Sequence, residues 1–177
     1  MPLLPPLPAD RWDDKARFAF AGMLPRERQN PEGAGTALAT LARHPDLTKA
    51  FLGLSVHLLY RSTLPARLRE LAILRVAYRR DCLYELTHHT ELGREVGLSE
   101  EEIASAQRGE AADDFEQKLL AAVDELDETS RLSDRTWAAL GERLDERQQM
   151  DLVFTIGGYT MMAMAFNTFG IELEQER

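Results

Sequence analysis

The apolar positions of this chain recur with helical spacing, and no run of alternating positions carries the β-branched residues that a strand needs. Leu68, Leu71, Ala72, Leu74 and Val76 mark the apolar face of a helix over 66–78. Pro65 stands just ahead of its first turn, and Arg79 and Arg80 follow at its end, where positive charge suits the helix dipole. Residues 79–81 separate it from a second helix, which Asp81 is placed to cap and Gly97 to end. So short a connection predicts an antiparallel helical hairpin. Before the hairpin the pattern gives a short amphipathic stretch over 13–24, a polar loop over 25–35, and helices over 36–43 and 46–60. After it, Ser99 with Glu102 forms a capping box opening a short helix that Gly109 closes. Helices over 113–129, 133–144 and 146–169 complete the chain. The expected class is all-α, a single compact helical domain over 13–177 built on antiparallel helical hairpins, preceded by a proline-rich arm over 1–12.

Two segments invite a different reading. The arm, MPLLPPLPADRW, has four prolines in its first eight residues and no basic region, so it reads as an extended polyproline-like segment and not as a secretory signal. Residues 152–171 are twenty uncharged residues, long enough to span a bilayer. Three Thr, three Gly and an Asn dilute them, and acidic flanks with no Lys/Arg cluster argue against a span. A helix apolar on all sides and outside lipid is expected to be buried, in the core or at a subunit contact, with Met161, Met162 and Met164 as packing residues.

Composition narrows the function classes. The 177 residues are 44% hydrophobic and 29% charged, which is enough apolar material for a real core and excludes bulk disorder. The net charge of −9 repels phosphate backbones, so nucleic acid is a poor partner. The single cysteine, Cys82, excludes an intramolecular disulfide or a CxxC pair and fits a reducing, cytoplasmic setting. Thiol chemistry here has to use an external thiol.

Chemistry concentrates in the hairpin. Cys82, Glu85 and His89 stand at i, i+3 and i+7, one stripe of a helix. Glu70 lies about as far before the turn as His89 lies after it, so an antiparallel pair sets them at the same height. That arrangement puts a carboxylate on each side of the imidazole, which raises the histidine pKa and fixes its tautomer. Cys82 and His89 are about 10 Å apart along the axis, so the ring needs Glu85 or a water to reach the thiol. The plain structural alternative is a solvated face of i, i+4 pairs with Cys82 as a small buried hydrophobe. His57 reads as a core histidine, His88 faces away from His89, and His44 is a loop residue before proline. Arg75, on an otherwise apolar helix, is a candidate for an ion pair within or between subunits. Neither HExxH nor a zinc-type Cys/His spacing is present, and no metal or other cofactor is expected.

The stretch LPARLRELAILRVAYRRDCLYELTHHTELGREVGLSEEEI, residues 64–103, resembles the core of the carboxymuconolactone decarboxylase family, which includes the alkylhydroperoxidase D-like proteins. The peroxidase branch is marked by glutamate, eleven residues, cysteine, two residues, cysteine, three residues, histidine. Glu70, Cys82 and His89 match three of those positions, and Glu85 stands where the peroxide-attacking second cysteine belongs. The decarboxylase branch commonly carries a glutamate four residues before the histidine, as Glu85 and His89 do. The resemblance implies an alkylhydroperoxidase D-like fold and a homotrimer or homohexamer with sites near subunit contacts; the acidic flanks and diluted composition of residues 152–171 give the expectation of no membrane.

Three functions are consistent with these residues. In the first, a lyase or isomerase acts on a small carboxylated or lactone substrate, with His89 as general acid/base, Glu70 orienting it and Glu85 moving the second proton. In the second, Cys82 serves an antioxidant thiol peroxidase that an external thiol reductant resolves. In the third, the protein is a non-catalytic oligomeric scaffold. The substrate is not encoded at this level.

Overall fold

The computed structural model describes residues 2–174, and every regular element among them is helical. The chain gathers into two compact units, one formed by the residues up to Arg61 together with those from Ala165 on, the other by Ser62–Met164.

In the first unit, α1 (Asp14–Ala19), α2 (Pro31–Leu41) and α3 (Pro45–Val56) surround a core that includes Trp12, Phe20, Ala39 and Leu52. The proline-rich arm is not extended to its end. Leu7 is buried, its N–H donates to the Ala39 carbonyl at 2.8 Å, and a single 3-10 turn over Ala9–Arg11 brings the Trp12 indole N–H to the Leu7 carbonyl at 3.0 Å. Two apolar side chains among the prolines thus anchor the arm. The stretch read as a polar loop over 25–35 also holds a helical start. The Asn30 side chain accepts from the Gly33 N–H at 2.8 Å and Pro31 takes the first helical position. Gly35, at φ 74° and ψ 172°, then breaks α2, so regular helix resumes at Thr36 as expected. His44 caps α3, its Nδ1 accepting from the Leu47 N–H. α3 passes into a wider π-helical turn over His57–Arg61, and His57 is exposed and not in the core, because it continues the exposed side of α3 that runs through Asp46, Ala50 and Gly53.

The second unit is organised around α4 (Ala66–Arg79), followed by α5 (Leu83–Glu95), α6 (Glu100–Arg108), α7 (Asp114–Thr129), α8 (Asp134–Leu140) and most of α9 (Glu146–Phe169). α4 touches α5, α6 and α7, which is why its 71–74 stretch is buried on every side. The capping box at Ser99 and Glu102 and the left-handed Gly109 bound α6 as the sequence predicts. Arg75 forms an ion pair within the chain: its guanidinium grips the Asp124 carboxylate at 2.7 and 2.9 Å and donates to the Gln107 carbonyl at 2.6 Å. α8 stops at Leu140, short of the expected 144, where Gly141 takes the C-cap.

α9 is long and apolar enough to cross a membrane by length and composition alone. In this fold one face is packed, through Leu152, Ile156, Tyr159, Met162 and Ala163, while Met150, Phe154, Met161 and Met164 are exposed. Of the three clustered methionines only Met162 is a core residue, because 161 and 164 fall on the opposite side of the helix.

Candidate active site

The hairpin connection sets the head of α5. Asp81 does not cap it: with φ 49° it is the left-handed residue that ends α4, and the Cys82 N–H reaches back to the Ala77 carbonyl at 2.9 Å. Aspartate tolerates this conformation better than most side chains do. Cys82 therefore takes the N-cap position, and the stripe Cys82, Glu85, His89 and Gly93 turns inward against α4.

Glu70 and His89 meet across the hairpin. Glu70 is completely buried, and its Oε2 lies 2.6 Å from His89 Nδ1, which donates to it. On the other edge of the ring, Nε2 stands 3.3 Å from Glu85 Oε2. His89 is 3% exposed and Glu85 6%, so the chain of two carboxylates and an imidazole is shielded from water. Burial alone pulls the His89 pKa down, but the hydrogen bonds to Glu70 and then Glu85, reinforced by their charges, outweigh it and push it up to about 9. The ring is a protonated imidazolium at neutral pH, with one face-edge contact to Tyr159 of α9, whose ring centroid lies 4.9 Å away at 88°.

Cys82 shares this buried stripe but not the activation. Burial pushes its thiol up, the charges of Glu85 and Asp81 add to that, and the backbone N–H groups of Glu85 and Tyr84 at the head of α5 act the other way. The net direction is up, which keeps it a thiol near neutral pH. His88 points out and rests on Tyr84, ring centroids 4.3 Å apart.

Two site residues escaped the sequence pattern. Arg69 donates from Nε to Glu70 Oε1 at 2.9 Å, although neighbours in a helix do not normally face each other, so spacing gives no signal for it. Tyr159 arrives from a helix seventy residues away in sequence, and only packing brings it to His89. Among the described residues no three His, Cys, Asp or Glu side chains are grouped to hold a metal ion. A cavity of about 610 Å³ beside Arg67, Glu102, Phe115, Glu116 and Arg143 includes none of the four predicted site residues, and its Arg67 is already held by Glu102 and Glu116.

The carboxymuconolactone decarboxylase family profile matches residues 45–128. No curated relative matches by sequence. Among solved structures, the chain is similar to an uncharacterized peroxidase-related protein with an alkylhydroperoxidase AhpD core from Ralstonia eutropha JMP134, at a TM-score of 0.78 and 16% identity over 97% of this chain and 93% of that one. It is also similar to a peroxidase-related protein from Silicibacter sp. TM1040, at 0.74 and 18% over 95% and 90%. The debrominase Bmp8 gives 0.74 and 16% over 97% and 92%, and a cysteine-to-alanine variant of Bmp8 is known in complex with 2,3,4-tribromopyrrole. Residues 45–128, which hold Glu70, Cys82, Glu85 and His89, match the carboxymuconolactone decarboxylase family, and the chain has the helical fold of the AhpD-like proteins.

Proposed function

We propose that the protein is an acid/base enzyme of this family, a decarboxylase or related lyase acting on a small carboxylated or lactone substrate through Glu70, His89 and Glu85. The observation that carries the reading is the hydrogen-bonded chain Glu70–His89–Glu85, with a carboxylate on each nitrogen of a buried imidazole. Glu70 fixes the ring with a proton on Nδ1, so the exchangeable proton is the one on Nε2 that faces Glu85. In a decarboxylation the bond to the carboxylate breaks, carbon dioxide leaves, and the electron pair left on carbon takes a proton that His89 Nε2 supplies by way of Glu85. Solvent then returns a proton to Nε2. No thiol and no cofactor enter this sequence, and the balance is one proton taken up per substrate.

The test is a panel of β-keto acids and muconolactones, followed by carbon dioxide release with wild type and His89→Ala. Turnover lowered by about two orders of magnitude in the variant supports the reading, since that is the usual contribution of a positioned proton-transfer group. Wild type inert on the whole panel but rapid on a hydroperoxide overturns it.

A second reading is favoured by one observation, the place of Cys82 at the head of α5 facing the N–H groups of Glu85 and Tyr84. There the thiolate attacks the peroxide O–O bond, releasing alcohol and leaving a sulfenic acid. An external thiol condenses with it, losing water, and a second thiol restores Cys82. The likeness to peroxidase-related structures and to a debrominase keeps this reading in view, while the burial of Cys82 weighs against it. Both readings take the protein as a cytoplasmic homotrimer or homohexamer. The exposed Met150, Phe154, Met161 and Met164, spaced along one side of α9, support a contact between copies there.

A further inference from the structure

We propose that Arg69 is a positioning residue of the site, one that holds the buried Glu70 side chain in place against His89 and supplies the positive charge beside it. The inference rests on the acid/base reading above and adds to it the device that sets the charge of the relay.

The four arginines of α4 divide by direction. Arg67 pairs with Glu102 and Glu116, Arg75 with Asp124, and Arg79 with Asp124, Asp127 and Glu128, so these three face α6 and α7. Arg69 lies about 200° around the helix from Arg67 and pairs with Glu70. Its side chain is 14% exposed, and Glu70 is 0% exposed. Glu70 thus has one oxygen on Arg69 at 2.9 Å and the other on His89 at 2.6 Å. A buried carboxylate needs such compensation on the spot, because removing its partner leaves a charge that water cannot reach.

Arg69 is the positive group beside Glu70, and His89 lies between Glu70 and Glu85. The Tyr159 ring of α9 packs edge-on against the imidazole. Take Arg69 away and two carboxylates flank one imidazole with a net negative charge in a dry site. Such a site takes up an extra proton at a higher pH, and the group that must accept or pass a proton is then blocked.

The experiment uses Arg69→Met, Arg69→Lys and the charge-neutral double variant Arg69→Met/Glu70→Gln in the full chain. It reads the imidazole NMR titration of His89 and the pH dependence of kcat and KM. In Arg69→Met the high-pH step of His89 moves up, and the acid limb of kcat moves up by about one pH unit, with KM held, because a neighbouring positive charge has been removed. That is about a tenfold loss on the limb. Arg69→Lys restores both, and the double variant returns the His89 step toward wild type. Should Arg69→Met fail to fold, folding of the double variant supports the charge argument and failure of both overturns it. Unmoved His89 titration and an unmoved acid limb in a folded Arg69→Met overturn the proposal. If the chemistry proves to belong to Cys82, the NMR titration still reads the charge coupling, so failure of the acid/base reading and failure of this proposal remain distinct.

Discussion

Glu70 and His89 lie nineteen residues apart in sequence and 2.6 Å apart in the fold, a buried contact across the hairpin of α4 and α5. Both groups are buried, so neither position is a solvated surface pair of the kind that contributes little to stability. The contact fixes the ring, raises its pKa and points the other nitrogen at Glu85.

The first prediction concerns stability and pH. The folded His89 pKa of about 9 lies above the unfolded value of 6.5, so the stabilisation is fully present below pH 6.5 and is lost as pH rises through 9. A shift of that size corresponds to about 3 kcal/mol. Wild type should lose thermal stability across this window, while His89→Gln, less stable at pH 6, should show a flatter profile. Parallel melting curves for the two proteins between pH 6 and 9.5 contradict the assignment.

A second prediction concerns Cys82. A thiol that is 1% exposed, with its pKa pushed up by burial, reacts slowly with peroxide and with sulfenic-acid probes at pH 7. The labelling rate should rise with pH and should rise steeply on unfolding in urea. Rapid labelling of the folded protein at pH 7 places the second reading ahead of the first.

The third prediction concerns α9. Phe154 is 56% exposed and Met161 47%, on the side of the helix opposite its packed residues. Phe154→Asp with Met161→Asp should convert a trimer or hexamer to smaller species by light scattering while circular dichroism stays helical. A wild-type monomer at micromolar concentration contradicts the expected assembly.

The legible parts of this protein were those governed by local rules. The capping box at Ser99 and Glu102, the hairpin, the extent of α9 and the Cys82, Glu85, His89 stripe follow from side-chain chemistry a few residues apart. The errors came where tertiary structure overrides spacing. Asp81 has the composition of an N-cap, yet the preceding helix needs a left-handed residue at that position to turn the chain. His57 sits in an apolar run, yet it falls on the solvent side of α3, in line with Ala50 and Gly53. Met161 and Met164 look like core residues until α9 has a packed side and an exposed one. Arg69 and Tyr159 were invisible because one contact is between sequence neighbours and the other crosses the whole unit.

The claim that the Glu70–His89–Glu85 chain does the chemistry without the thiol is tested most directly by measuring kcat/KM of Cys82→Ser beside Glu85→Gln on a muconolactone or β-keto acid that wild type turns over. The account predicts near-wild-type turnover in Cys82→Ser and a loss of about 100-fold or more in Glu85→Gln. Abolished turnover in Cys82→Ser, with a substantial remainder in Glu85→Gln, contradicts it.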